Sequence, residues 1–159
     1  MKKLITLIAI LFTCIFAFGQ NIQVQDLPKA AEPTTKEIGQ VDKDGNKTGE
    51  WKTYYIKNEQ LRTIGNYQNG KEVGEWKTYY DNGQLWREEN YNNGIKTGIV
   101  KEYYSNSKLK HIVNFENGNE TGEKQYFHEN GELYYIGRML DGKATGEWKY
   151  YYDNGQLRR

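Results

Sequence analysis

The chain has 159 residues, with 22 basic against 21 acidic side chains, a single cysteine and 14% aromatic residues. This near-neutral balance supplies no broad electrostatic pull toward nucleic acid or anionic lipid, so no nucleic-acid partner is expected. One cysteine leaves no disulfide framework within the chain.

Lys2 and Lys3 precede an apolar run from Leu4 to Phe18, and Ala17-Phe18-Gly19 puts small residues before a cut at Gln20. Residues 1–19 thus read as a secretory signal peptide, which predicts export to the periplasm, the cell surface or the medium. The run also lies near the lower limit for spanning a bilayer, so an uncleaved anchor is the competing expectation. Cys14 fits a lipoprotein cysteine poorly, because Thr13 stands where Gly, Ala or Ser is expected. Cleavage removes Lys2, Lys3 and Cys14, leaving 20 basic against 21 acidic side chains and no thiol. Residues 20–37 are polar, hold Pro28 and Pro33 and lack aromatics. They read as a flexible tether, with a repeat array from 38 to 159.

The array repeats every 24 residues, as Leu61, Leu85, Leu109, Leu133 and Leu157 show. Gly74, Gly98, Gly122 and Gly146 keep the same spacing, while Gly49 lies one residue further back because the first unit carries an insertion. Each unit holds two turn signals. Asn82-Gly83, Asn130-Gly131 and Asn154-Gly155 mark one; Asn69-Gly70, Asn93-Gly94, Asn117-Gly118 and Asp141-Gly142 mark the other. Both dipeptide types suit two-residue type I′ hairpin turns. The segments between are rich in Trp, Tyr, Thr, Ile and Val, and none carries a helical apolar stripe. The expected fold is all-β: an elongated antiparallel meander of tandem 24-residue β-hairpin repeats. Tyr150–Leu157 would be left as an open edge, so self-association through sheet edges, or a C-terminal continuation, is expected.

Strand alternation across a two-residue turn assigns the faces. The expected structural core is Trp51, Trp76, Tyr80, Leu85 and Tyr91, then Val100, Tyr104, Leu109 and Phe115, then Leu133, Trp148, Tyr152 and Leu157. The fourth unit departs, with Lys124 and His128 at the Trp and Tyr positions and Tyr126 and Tyr135 placed to compensate. The opposite, wetter face carries the candidate partner-binding stripe: Tyr54, Tyr79, Trp86, Tyr103, Phe127, Tyr134 and Tyr151. Three large side chains per unit bury too little to offset the ordering of 24 residues, so stability belongs to the stacked array.

The pattern G-E-W-K-x-Y-Y-x-N-G-x-L, followed by an aromatic and N-G-K, resembles the variant MORN repeat. Gly74-Glu75-Trp76, Tyr79-Tyr80, Asn82-Gly83, Leu85, Tyr91 and Asn93-Gly94 carry the likeness, which runs from about Ile38 to Arg159. The family includes bacterial YwqK-family antitoxins of toxin–antitoxin systems. The resemblance implies serial hairpins in a long twisted sheet, and an interaction or scaffolding role with partners that include proteins and lipids. It carries no catalytic residue onto this chain. Ser107 departs from the pattern at a turn glycine, and the fifth unit is only half present.

Chemistry-bearing residues are sparse. By repeat position His111 takes the place of Arg87 and His128 that of Tyr80, so the two histidines do not converge. Glu50, Glu75, Glu123 and Glu147 form a ladder, but successive members would lie about 9.6 Å apart, too far to share one small ion. With Lys52, Lys77, Lys101 and Lys149 two residues on, they read as a charged solvent face. The expectation is a non-catalytic module with no metal and no cofactor, binding a protein partner at the cell envelope. Antitoxin-like, immunity or scaffolding roles fit that reading. A cell-surface glycan or cell-wall binder is the alternative, since exposed aromatics also stack on sugars.

Overall fold

A computed structural model describes residues 34–158; the signal region 1–19 and most of the tether lie outside the described residues. Ten strands follow one another: β1 (Thr35–Val41), β2 (Lys47–Tyr55), β3 (Leu61–Gln68), β4 (Lys71–Tyr79), β5 (Leu85–Asn92), β6 (Ile95–Tyr103), β7 (Leu109–Glu116), β8 (Asn119–Phe127), β9 (Leu133–Leu140) and β10 (Lys143–Tyr150). Each pairs antiparallel with the next in a single sheet ordered β1 to β10, and no helix occurs among the described residues. The expected all-β meander is the fold. Its first strand starts at Thr35 and takes in Thr35–Glu37, which the sequence assigned to the tether. Glu37 pairs with Thr53 in the ladder, and its carboxylate meets Lys47 Nζ at 2.9 Å.

The two turn signals give two different turns. Asn69 and Gly70 both take positive φ, 51° and 75°, as a type I′ turn requires, and the other three turns of that series do the same. At Asn82-Gly83 only the glycine is left-handed, at φ 84°. Gly83 N–H donates to Tyr80 O and Tyr80 N–H to Gln84 O, which is a type I turn closed by a glycine bulge. One positive φ is a milder demand than two, so Ser107 and Glu59 can stand in the glycine's place, at φ 66° and 57°.

That bulge corrects the expected faces. Tyr79 pairs with Leu85, but the next pair is Thr78 with Arg87, so the extra residue Trp86 slips to the face of Arg87. The pairs Tyr54–Leu61, Tyr103–Leu109, Phe127–Leu133 and Tyr151–Leu157 repeat the pattern. The leucines Leu85, Leu109, Leu133 and Leu157, expected in the core beside the tryptophans, thus stand on the opposite face with the tyrosines. Trp86 and Tyr134 make the reverse exchange. Parity beyond the bulge is as expected: Trp76 still shares a face with Glu89, and Thr78 with Arg87.

The core is the middle of the tryptophan face. Val100 and Val113 are 1% exposed and Met139 7%, with Phe115 and Trp148 packed against them. Toward the N-terminal end the same face continues as a row of edge-to-face rings: Trp51, Tyr67, Trp76 and Tyr91, with centroids 5.1–6.3 Å apart. In the fourth unit Tyr126 and Tyr135 stack at 5.3 Å in place of the missing tryptophan.

Each tryptophan has a seat. Between the pairs Ile64–Lys77 and Asn66–Val73, the three residues Gly74-Glu75-Trp76 stand against Gly65 alone. Gly74, at φ 67°, makes this wide bulge, and the Trp76 ring swings over Gly65. A Cβ on Gly65 would lie 2.1 Å from that ring; Gly39 under Trp51 and Gly137 under Trp148 are the same, at 2.2 Å. In the two units without tryptophan the seat is filled: Glu89 lies beside Val100, and Val113 is paired with Lys124. Large ring with glycine, or smaller side chain with a full residue, are the two solutions that keep the volume constant.

Gly65→Val should therefore destabilise the array by roughly 1–3 kcal/mol, as overpacking does. Trp76→Lys should cost on the order of 3–5 kcal/mol, as loss of a large buried ring does. The double variant copies the Val113–Lys124 pair and should lose at least about 1 kcal/mol less than the sum in urea unfolding. Strict additivity would refute the seat.

Candidate binding face and the ties between repeats

The second tyrosine of each unit points along the array. Tyr55 Oη donates to Tyr79 O at 2.9 Å, Tyr80 Oη to Tyr103 O at 2.7 Å, and Tyr104 Oη to Phe127 O at 2.6 Å. His128, at the same repeat position, sets Nε2 3.1 Å from Tyr151 O. Each carbonyl lies one residue beyond the ladder between neighbouring repeats, which in β3–β4 ends at Thr63–Thr78. The phenol thus satisfies a strand-end acceptor that the return strand does not reach. The turn asparagines add a second tie. Asn58, Asn106 and Asn130 accept a backbone N–H two residues on, and their amides donate to Asp81 O, Glu129 O and Asp153 O of the next unit.

The bulge residue lies against the aromatic or histidine at this position in every unit. Arg62 lies over the Tyr55 ring, Lys110 over Tyr104 and Arg158 over Tyr152, at 5.6–5.7 Å. Trp86 lies 6.0 Å from Tyr80, and Tyr134 4.8 Å from His128. Trp86 and Tyr134 accordingly belong to these ties, not to the stripe on the other face. Sequence reasoning missed the tie itself, although an aromatic or histidine followed by a turn asparagine in every unit was its visible signal.

The candidate stripe is left as Tyr54, Tyr79, Tyr103, Phe127 and Tyr151, each beside its leucine. All five rings are half-buried. Tyr103 Oη donates to Glu88 Oε2 at 2.8 Å, and burial together with that carboxylate pushes its phenol up to about 12. Ile64, Ile112 and Ile136 run alongside, alternating with the lysines of the neighbouring strands through the pairs Ile64–Lys77 and Lys101–Ile112. A shallow depression opens here between Ile99 and Ile112, and Ile99 is 52% exposed. Lys52 meets Glu50 at 2.6 Å and Lys77 meets Glu75 at 3.2 Å, forming a charged border to the row.

The tryptophan face carries charge where tryptophan is missing. Glu89 Oε2 lies 2.7 Å from Lys96 Nζ and 3.1 Å from Arg87 Nε, and Arg87 reaches Glu102 at 3.6 Å. Burial, reinforced by Glu89, pushes the Tyr91 phenol up to about 12. His111 pairs with Glu102 and Tyr126; burial first, then the Lys124 charge, holds it below its ordinary value of 6.5. Among the described residues no three His, Cys, Asp or Glu side chains gather as a metal site would require.

Period, hairpin turns and paired aromatics now stand together in five successive units. The MORN repeat variant matches residues 72–93, 96–117, 120–141 and 144–159. The chain belongs to the MORN repeat variant family. Two crystal structures are similar in part. That of TarM has 10% identity and a TM-score of 0.42, covering 70% of this chain and 21% of that one. The GtfA/B complex bound to UDP and GlcNAc has 16% identity and a TM-score of 0.34, covering 84% and 25%. This chain spans about a quarter or less of their length, and likeness at that level says nothing of what the MORN array binds. No curated protein matches it.

Two measurements check the geometry. Tyr80→Phe deletes one tie and should lower stability by about 1 kcal/mol, the usual cost of a lost hydrogen bond. An unchanged urea midpoint would mean that water replaces the phenol. For His111, a depressed pKa means that the unfolded chain takes up the proton first as pH falls. The stability it contributes is present above about pH 6.5 and is lost as pH drops through the unfolded value toward the folded one. His111→Gln should flatten the fall in melting temperature between about pH 7 and 5.

Proposed function

We propose that this MORN array is a non-catalytic, exported module that binds a protein partner at the cell envelope, in an antitoxin-like, immunity or scaffolding role. The observation that carries the reading is the row of five rings and five leucines along one face of a single-layer sheet. Among the described residues no second layer covers it. Half-buried rings held in place by cross-strand leucines are pre-ordered anchors, so they lose little side-chain freedom on binding. Aromatic anchors inside a charged border are also the usual anatomy of a protein interface. Export rests on the Lys-apolar-small pattern of residues 1–19.

A glycan reading has one observation of its own in favour. On the opposite face Tyr126, Tyr134, Tyr135 and Tyr150 cluster at 5.3–6.3 Å, offering ring faces of the kind sugars stack on. The two readings use opposite faces and separate cleanly. Immobilised full chain is offered envelope extract and, in parallel, isolated wall polysaccharide. Tyr79→Ser with Tyr103→Ser should reduce capture of the bound protein at least about tenfold, while Tyr134→Ser leaves it unchanged. Polysaccharide retention lost only with Tyr134→Ser would favour the glycan reading. Capture unaffected by either change would reduce the row to packing. Melting curves of each variant distinguish lost binding from lost fold.

A further inference from the structure

The aromatic row on the leucine face has a second row beside it. Lys52, Lys77, Lys101 and Lys149 each stand two residues before a stripe aromatic, with Gln125 at that position before Phe127. Strand pairing sets them side by side across the sheet. Ile64 pairs with both Lys52 and Lys77, and Glu88 with both Lys77 and Lys101. Ile112 then pairs with Lys101 and Gln125, and Ile136 with Gln125 and Lys149. Glu88 is the one carboxylate in this row and is already engaged: Tyr103 Oη donates to it at 2.8 Å, and Lys77 Nζ lies 4.0 Å away. Lys52 and Lys77 reach back to Glu50 and Glu75, whose side chains are exposed. Exposed pairs of that kind contribute little and exchange readily for another carboxylate. Lys101 has Ile99 where those two have glutamates. Among the described residues neither Lys101 nor Lys149 has a carboxylate within 4.0 Å of its ammonium.

We propose that the partner on this face presents an acidic, proline-rich segment in the polyproline II conformation, laid along the array and across its strands. The inference rests on the protein-binding reading of the same face. Lysines and rings recur every second strand, about 9.6 Å. A polyproline II helix completes a turn in three residues, about 9.3 Å, so side chains three apart form columns of nearly the same period. An extended strand returns a side chain to one side every ~6.8 Å, and an α-helix does so every ~10.5 Å over two turns; both fall out of step. One column, of carboxylates, meets the lysines. The neighbouring column, of prolines, enters the gaps between successive rings, each floored by the leucine of the hairpin, as Leu85 lies between the strands of Tyr79 and Tyr103. Aromatic-lined grooves suit this helix because it is ordered before it binds. Glu50, Glu75, Glu123 and Glu147 stand two residues beyond the lysine row and repel an acidic column that slides past it, which fixes the side of the segment that faces the rings. Having no internal hydrogen bonds, such a segment can follow the twist of the sheet.

The test uses the full chain and fluorescein-labelled synthetic peptides, read by anisotropy. A peptide of five Glu-Pro-Ser triplets, roughly 46 Å long in this conformation, covers the row. It should bind at least about tenfold more tightly than a scrambled peptide of the same composition, and its Lys-Pro-Ser counterpart should not bind. Affinity should fall as salt rises. Lys77→Gln with Lys101→Gln should weaken it at least about tenfold, as should Tyr79→Ser with Tyr103→Ser, while Tyr134→Ser leaves it unchanged. Thermal unfolding of each variant shows whether the fold is kept. Equal affinity for the scrambled peptide, no binding at millimolar concentration, or indifference to the lysine changes would each overturn the proposal. If an envelope protein is still captured through Tyr79 and Tyr103 beside such a result, only the ligand class is overturned and the protein-binding reading stands. If that capture fails as well, both are overturned.

Discussion

From β4 onward, each tryptophan strand ends on a backbone carbonyl that the preceding return strand does not reach, and the phenol or imidazole of the preceding repeat fills the gap. This donation from Tyr55, Tyr80 and Tyr104, continued by His128, sets the spacing of the whole array. It fixes where the strand stops, because an aromatic side chain of fixed length must span one repeat to meet its acceptor. It fixes the turn beyond, because the tyrosine that donates forward also supplies the N–H and carbonyl that close its own turn, as Tyr80 does with Gln84 and Gly83. And it asks for a cover, which the bulge residue provides as Arg62, Trp86, Lys110 or Tyr134. A cation or a ring serves equally, since either lies flat on an aromatic face.

A sheet one layer thick has no opposing sheet to pack on, so its side chains must cover one another. On one face they do so by laying tryptophan across glycine and alternating it with tyrosine along the row. Where the large ring is absent, Val100 and Val113 close the surface, and beside them charged chains pair at low exposure. On the other face the leucines pack against the rings of their own hairpins. Both faces thus reach partial burial by sideways contact, which is why so few side chains are fully enclosed and why the rings remain accessible.

The period, the strand composition and four of the turns were legible in the sequence because each is a local property. Asn-Gly and Asp-Gly at 69–70, 93–94, 117–118 and 141–142 could adopt one hairpin turn, and did. The other Asn-Gly series was misread because the same dipeptide serves two turn geometries. The distinguishing mark was present: Glu59 and Ser107 stand in that series at the glycine position, and a turn demanding two positive φ angles would accept them poorly. From that one misreading the leucines and Trp86 exchanged faces, since a single extra residue reverses every assignment up to the point of correction. The tryptophan seats were legible only in hindsight. Gly65, Glu89, Val113 and Gly137 vary in step with Trp76, Val100, Lys124 and Trp148, but the two columns belong to strands that a motif-centred reading places in different units.

That last offset bears on how such an array can lengthen. The motif the eye picks out begins at Gly-Glu-Trp and closes at the next Asn-Gly-Lys, but its tryptophan is seated by the strand before it. Copying the stretch from Gly74 to Thr97 and inserting it after itself would bring Glu89 beneath a second Trp76, a ring over a side chain instead of over glycine. The stretch that can be duplicated without such a collision runs from Leu61 to Gln84, the hairpin together with the turn that follows it, whose glycine and tryptophan travel together. The unit of inheritance in this fold is therefore half a step out of phase with the unit of sequence, and a gene gaining or losing repeats intact would do so at the boundary between Tyr79 and Leu85 rather than at the Gly-Glu-Trp signature.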